Sequence, residues 1–580
     1  MKEMVLLGDE AVALGAIHSG ATAAFGYPGT PSTEILEYIL DVLEKNNGKT
    51  DTTFAQWCTN EKTAYESALG ASFAGKRTLV TMKHVGLNVA ADPFMNSSLC
   101  GINGGLIVIV ADDPSMHSSQ GEQDSRFFSD FAMVPCFEPT NQQEAYDMMF
   151  EAFELSEKMH VPVMYRLVTR LSHSRSGIIT KNADSLIPQN ELHKGDRLEW
   201  MLLPALARKN YANLLEKQKD LIAMSAMSHR NPLVINEKRT DLAIITSGLG
   251  RNYFLENLDD YTELCEKEFP GLGIPSTLHI GMLPLPKESI DKITSVAKTI
   301  LIIEEGQPVI EKQIKGLLRT ENVIIGKFTG HLPRTGELNP DFVRKALGLV
   351  GHVSVLEDNK DVSVESTNST LLETCTTLPG RPPQLCRGCP HIDSFTTMNM
   401  VAERLIEKDG KNNVYIASDI GCYALGAVQP LVAGETIVCM GASLGMARGA
   451  ACAGVKHTMG VIGDSTFLHS GITNLIDAVS AKTPMTAVIL DNSIVAMTGC
   501  QTTILPSSQL QKLIEGIGVE PEHIHVLNTS TPKRAENADI LQKEVEYRGV
   551  SVIIMVRECL EAYRIRTKKA KAKAKAEGAK

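Results

Sequence analysis

An acidic residue in a glycine-flanked turn, Gly463-Asp464-Ser465, is followed 28 positions later by the amide Asn492, within Asp491-Asn492-Ser493. Asp464 offers carboxylate oxygens, Asn492 an amide oxygen and Ile494 a backbone carbonyl. Mg²⁺ takes hard oxygen ligands of this kind and completes its shell with phosphate and water. The pattern therefore points to a divalent ion held against a diphosphate. An unrelated α/β turn containing a Gly-Asp pair is the alternative reading.

A second constellation is built from thiols. Cys386-Arg387-Gly388-Cys389 is followed by Cys422, in Asp419-Ile420-Gly421-Cys422-Tyr423, and far downstream by Cys559. A Cys-x-x-Cys pair alone fits zinc, a redox dithiol or two ordinary thiols. Four thiolates from distant segments also suit a 4Fe–4S cluster. Cys500 rivals Cys559 as fourth ligand, since it too follows a strand and loop near Asn492. The remaining cysteines, including Cys100, Cys439 and Cys452, sit in apolar runs and read as small core residues.

These groups need elements to position them. Residues 1–184 alternate helical patterns with apolar runs, and Thr78–Met82 and Gly105–Ala111 read as buried parallel strands. Ligands in open α/β sheets lie beyond the carboxyl ends of strands. The following loops, Lys83-His84-Val85-Gly86 and Asp112-Asp113-Pro114-Ser115, are thus candidate site loops. Residues 185–238 are polar and helix-prone, with no strand signal, and read as a helical linker or excursion. A second α/β block, 239–350, has strands at Leu242–Thr246 and Thr299–Ile303. A linker rich in Ser, Thr, Asn and Asp follows over 351–378. The last block, 379–563, has strands at Val414–Ala417, Thr458–Ile462, Met485–Leu490 and Val550–Val556. Asp464 and Asn492 each follow one of these strands, which places them at one edge of one sheet. The expected fold class is α/β, with three parallel-sheet, doubly wound domains.

Bulk properties bound the function. A chain of 580 residues needs several cores. A net charge of -11 argues against nucleic acid as the main partner. No run of eighteen apolar residues predicts a membrane span, and no signal peptide precedes Gly8-Asp9-Glu10. Twelve cysteines, irregularly spaced, fit a cytoplasmic protein with reduced thiols. The segment 564–580 carries eight Lys or Arg and one Glu, and reads as a solvated tail, helical at most in part.

Taken together, longer motifs carry a resemblance. They are Gly26-Tyr27-Pro28-Gly29-Thr30-Pro31-Ser32-Thr33, Asn60-Glu61-Lys62, the stretches 81–92 and 111–120, Gly330-His331-Leu332-Pro333-Arg334 and Leu385–His391. Met440-Gly441-Ala442-Ser443, Gly463–Phe467, Asp491–Ser493 and Ala496-Met497-Thr498-Gly499 complete the set. In this order they resemble the 2-oxoacid:ferredoxin oxidoreductases, in particular large subunits of the indolepyruvate type. The resemblance implies a pyrimidine-binding domain first, a transketolase-C-like domain second and a diphosphate-binding domain third, with thiamine diphosphate between the first and third.

Residue roles follow from that resemblance. Glu61 matches the carboxylate that hydrogen-bonds the aminopyrimidine; by itself, a Glu at a helix start is more often a surface residue facing the helix dipole. Asp464, Asn492 and the Ile494 carbonyl match the Mg²⁺ ligands. Gly441, Ala442, Ser443, Gly463, Ser465 and Thr498 match cofactor-binding positions. Cys386, Cys389, Cys422 and Cys559 match the ligands of one 4Fe–4S cluster. Thr30 and Arg126 match, more loosely, the substrate-carboxylate site, and His84 and His117 are further active-site candidates. The implied reaction is oxidative decarboxylation of an aryl 2-oxoacid, coenzyme A taking the acyl group and ferredoxin two electrons. A small second subunit, in a heterotetramer or dimer, is implied as well.

The sequence departs from the family in two places. Large subunits usually continue into a ferredoxin-like domain with Cys-x-x-Cys-x-x-Cys runs, and no such run follows Cys559, so electrons are expected to leave to ferredoxin or a separate ferredoxin-like subunit. Arg387 replaces the usual proline and puts a positive charge beside the thiols, which would raise a cluster's potential. Two alternatives remain: a non-oxidative thiamine-dependent decarboxylase, and a non-catalytic subunit of a larger complex.

Overall fold

The structure is a computed structural model that describes residues 2–45, 54–182, 186–316, 330, 384–495, 501–503, 505 and 507–577. Residues 1–316 and 385–580 make one compact unit, and 317–384 a second, of which only Gly330 and Gln384 are described. The end of the second expected block and the linker 351–378 therefore lie outside the described residues. Among the described residues no helix is long and apolar enough to cross a membrane.

The first domain contains strands β1 (Ala23–Gly26), β2 (Phe54–Trp57), β3 (Thr78–Lys83), β4 (Leu106–Asp112), β5 (Cys136–Phe137) and β6 (Val163–Val168). They run parallel in the order β5-β6-β4-β3-β1-β2. Both faces of β3 and β4 are buried, as their continuous apolar runs require. Four helices position the residues of interest: α1 (Gly8–His18), α2 (Thr33–Lys45), α3 (Glu61–Phe73) and α4 (Thr169–His173). The side chain of Asn60 accepts from the Thr63 N–H and starts α3. Every residue of α3 from Thr63 onward is buried, and Ala64, Ser67, Ala68, Gly70 and Ala71 keep it thin enough to be packed on all sides.

The middle domain begins with α5 (Pro204–Met227) and continues through β7 (Leu233–Val234), β8 (Leu242–Ser247), β9 (Ser276–Ile280), β10 (Met282–Leu283) and β11 (Thr299–Ile303). Its sheet order is β11-β8-β9-β7, with only β7 antiparallel. The stretch 185–238 thus does contain a strand; β7 is two residues long and too short to show alternation. Strand β10 leaves this sheet and pairs antiparallel with β5, matching Met282 to Phe137 and Leu283 to Cys136.

The third domain has helices α6 (Pro390–Asp409), α7 (Ala442–Cys452) and α8 (Ile472–Ser480) around strands β12 (Val414–Ala417), β13 (His457–Gly463), β14 (Met485–Asp491), β15 (Ile524–Asn528) and β16 (Val550–Val556). All five are parallel, in the order β12-β13-β14-β16-β15. One apolar cluster runs through the first and third domains, including Phe25, Leu69 and Met82 on one side and Leu444, Met446 and Ile462 on the other. The basic tail is helical as far as Glu577, in α9 (Leu560–Glu577), rather than helical only in part. Its Ala and Lys residues are strong helix formers and outweigh the like-charge repulsion.

Candidate active site

The site is assembled where α3 and α7 cross between the first and third domains. A Cβ on Gly449 would lie 1.7 Å from the Ser67 carbonyl oxygen, so the two backbones meet only because that residue is glycine. Arg448, fully buried, reaches across to Ser67 Oγ at 2.7 Å and Gln56 Oε1 at 2.5 Å. From α8, Asp477 accepts from the Thr59 N–H at 2.8 Å and the Thr63 hydroxyl at 2.9 Å. The first turn of α3, which carries Glu61, is thereby fixed against helices α7 and α8 of the third domain.

Strands β13 and β14 are neighbours with Gly463 opposite Leu490, so Asp464 and Asp491-Asn492 emerge together. Asp464 accepts from the Ser465 N–H at 2.7 Å and the Ser493 N–H at 2.9 Å. Burial, with the neighbouring Asp491 carboxylate, lifts its pKa to about 7. Asn492 donates through its amide nitrogen to Nε2 of His391 at 3.3 Å. Burial pushes His391 down to about 4, and the Ile494 N–H donates to Asn492 Oδ1 at 3.1 Å, which turns the amide NH₂ toward the His391 ring. The Ser465 hydroxyl is buried without a hydrogen-bond partner. Two crowded carboxylates, an oriented amide oxygen and an unpaired hydroxyl form a donor set that fits a divalent cation and its phosphate.

The loop over this edge is shaped from below. Asp419, buried at the end of β12, accepts from the N–H groups of Ile420 (2.7 Å), Gly441 (2.8 Å) and Ser443 (2.9 Å). Gly441 has φ 91° there, and buried Ala442 opens α7. Glu66, fully buried on α3, accepts from the Asn474 amide at 2.7 Å and pairs with Lys62 at 3.0 Å. Burial lifts Glu66 to about 7, opposed by Lys62 and Asn474. Asn474 also donates to the Gly441 carbonyl at 3.2 Å, linking the two domains through one amide.

Glu61 opens α3 half-buried, and burial raises its pKa. A Cβ on Gly86 would come within 2.6 Å of its carboxylate oxygen, so the segment after Lys83, expected as a loop but folded as the short helix His84–Val89, lies directly on it. Thr30 is exposed, and its carbonyl accepts from the Ser118 hydroxyl at 3.1 Å. His84 is buried, with Nε2 3.2 Å from the Gly121 carbonyl, whereas His117 is exposed. Arg126 requires a correction as a substrate ligand. It is fully buried, and its N–H groups are taken by Asp124, Glu304, Ser247 and the carbonyls of Glu305 and Gln307, none of which is substrate. Its role is to clamp the first domain to the middle one, together with Arg166, which pairs with Asp112 at 2.6 Å and with Glu138 and donates across to the Glu305 carbonyl at 3.1 Å. The cation near Thr30 is Lys83, whose Nζ donates to the Ser118 carbonyl at 2.8 Å.

The four expected cysteines gather from three segments. The Cys389 thiol, lifted to about 11 by burial, also feels Cys422, Cys386 and Cys559. Arg557 ties the Cys559 strand end to α6 through Asp393 at 2.5 Å, and α6 begins directly after Cys389. No three of these sulfurs lie all within 4.8 Å of one another. Four thiols drawn from separate segments in this way are a soft donor set of the kind that ligates zinc or an iron–sulfur cluster. Cys100 and Cys439 are buried, as expected of core thiols. Cys500 and Thr498 lie outside the described residues; Ile494 is described, in a short strand with Val495.

Asp419, Glu66, His391 and Lys83 were not singled out from sequence. Asp419, His391 and Lys83 stand inside motifs that were, but no spacing rule distinguishes a positioning group from its neighbours. Beside the loop a cavity of about 360 Å³ opens, lined by Asp92, Asn96, Ile420, Met440 and His469 among others.

Two parallel-sheet domains meeting over the Asp464–Asn492 edge and the buried helix α3 make up the fold of a thiamine-diphosphate enzyme. Two family models match accordingly: pyruvate flavodoxin/ferredoxin oxidoreductase, thiamine diP-binding, over residues 14–204, and thiamine pyrophosphate enzyme, C-terminal TPP binding domain, over 419–555. Proteins named indolepyruvate oxidoreductase subunit IorA are similar along nearly the whole chain. That of Archaeoglobus fulgidus is 36% identical over 96% of this chain and 86% of its own length. That of Methanothermobacter thermautotrophicus is 34% identical over 96% and 87%, and that of Pyrococcus horikoshii 34% over 97% and 86%. The chain belongs to the thiamine-diphosphate-dependent 2-oxoacid:ferredoxin oxidoreductase family, as a large subunit of the indolepyruvate type.

Proposed function

We propose that this chain, with a small second subunit, oxidatively decarboxylates an aryl 2-oxoacid of the indolepyruvate kind. Coenzyme A receives the acyl group, CO₂ leaves, and two electrons pass to ferredoxin or a ferredoxin-like subunit. The observation that carries the reading is the gathering of Cys386, Cys389, Cys422 and Cys559 through α6, the segment whose His391 also orients Asn492. A thiamine enzyme without redox work has no need of four thiols there.

Bound thiamine diphosphate supplies the electron sink for breaking the bond between the keto carbon and the carboxylate. Asp464, Asn492 and the Ile494 carbonyl would hold Mg²⁺ against its diphosphate, with the Gly441–Ser443 loop alongside. Glu61, half-buried with a raised pKa, is suited to hold a proton at the pyrimidine ring. Lys83 and Thr30 would meet the substrate carboxylate. The cysteines would hold one 4Fe–4S cluster.

The test is iron and sulfide analysis of anaerobically purified protein, wild type and Cys386→Ala, beside turnover with indolepyruvate, coenzyme A and ferredoxin. About four irons per chain, lost in the variant together with ferredoxin reduction, is the expected result. Iron-free protein that releases CO₂ and aldehyde without coenzyme A would overturn the reading in favour of non-oxidative decarboxylation.

A further inference from the structure

Outside the thiamine site, three ligating side chains meet at the ends of three helices of the first domain. Asp9 is the second residue of α1 and is fully buried. Neither of its oxygens meets a donor in hydrogen-bond geometry, and only the nearby Ser172 hydroxyl eases its charge. Glu34 stands in the first turn of α2, and its Oε2 is likewise buried without a hydrogen bond. His173 ends α4, with Nε2 3.5 Å from that same oxygen. One ligand atom from each of the three lies within 4.8 Å of the other two.

The approach is built into the backbone. A Cβ on Gly8 would lie 2.2 Å from the Leu171 carbonyl oxygen, so the start of α1 can touch α4 only as glycine. The charge there is unbalanced: the charged groups acting on Asp9, Glu34 and Glu10, are both negative. A buried carboxylate with no well-formed hydrogen bond and only one nearby hydroxyl is stable only when it is neutral or bound to a cation.

We propose that Asp9, Glu34 and His173 form a binding site for a transition-metal dication such as Zn²⁺ or Mn²⁺. One imidazole and two carboxylates suit these ions better than Mg²⁺ or Ca²⁺, which take oxygen alone. Glu34 and His173 are each about one-third exposed, at 34% and 35% of the side chain, so one coordination position faces water. The ion would tie α1, α2 and α4 together. It would also steady the turn bearing Thr30, because the Thr33 hydroxyl, at the start of α2, accepts from the Gly29 N–H at 3.0 Å.

The test uses the full-length chain, treated with chelator, dialysed against Zn²⁺ or Mn²⁺ and then analysed for bound metal and melting temperature. Wild type is compared with Asp9→Asn and His173→Gln, which subtracts metal held elsewhere. About one equivalent more Zn²⁺ or Mn²⁺ in wild type than in either variant, with a metal-induced rise in melting temperature that both variants lose, is expected. Asp9→Asn should melt no lower than wild type without metal, since it removes an unpaired buried acid. His173→Gln, at a position one-third exposed, keeps the test decisive if Asp9→Asn fails to fold. Equal metal content and equal thermal shift in wild type and His173→Gln would overturn the proposal.

Discussion

Replacing Asp419 by Asn perturbs the cofactor loop without touching the cofactor's own ligands. The Asp419 carboxylate takes three backbone N–H groups, two of them from Gly441 and Ser443 on the loop. In the variant one oxygen remains for Ile420 and Gly441, while the new NH₂ faces the Ser443 N–H, donor against donor. The change removes one charge-assisted bond, worth about 1.5–3 kcal/mol, and strands a buried donor at about 1–3 kcal/mol. If the loop relaxes to relieve this clash, binding must re-form it, and roughly 3 kcal/mol becomes a loss of about two powers of ten in thiamine diphosphate affinity. If the loop holds, the same energy appears as a lower melting temperature. Calorimetric titration with thiamine diphosphate and Mg²⁺, beside thermal unfolding with and without cofactor, separates the two. Unchanged affinity together with an unchanged melting temperature would refute the claim that Asp419 shapes the loop.

Gly449→Ala should destabilise the α3–α7 crossing by about 1–3 kcal/mol or more, because its Cβ would meet the Ser67 carbonyl at 1.7 Å; chemical denaturation checks this. Mg²⁺ affinity should rise about tenfold per pH unit as pH climbs toward about 7 and flatten above it, since the cation competes with a proton on Asp464; titration across pH 5–9 reads the slope. Arg126→Met leaves Glu304 buried without its ion-pair partner and Asp124 with Arg166 alone, and should cost about 3–5 kcal/mol of stability. Arg126→Lys that folds should keep its KM for the 2-oxoacid, and a selective rise in KM would restore Arg126 to the substrate site.

Much of the architecture was legible without coordinates. Strands such as Val414–Ala417 and Val550–Val556 are apolar runs bounded by turn residues, the pattern of buried parallel strands, and Thr299–Ile303 carries the same pattern although its edge position leaves it partly exposed. Asp464 and Asn492 were legible because each follows such a strand, and parallel neighbours put their carboxyl ends at one edge. Strands β5, β7 and β10, of two residues each, carry no period to read.

What sequence determined by itself, then, was the local chemistry: which turn offers hard oxygens, which segments offer thiols, and which runs must be buried. Only the tertiary structure decided which charges are spent on packing. Arg126 looks like a free guanidinium until Asp124 and Glu304 close around it, and Glu66 looks like a helix-surface acid until α7 covers it. Pairing and burial depend on residues far along the chain, with Asn474 lying 408 positions from Glu66 and Glu304 lying 178 from Arg126, and no spacing within a single segment encodes them.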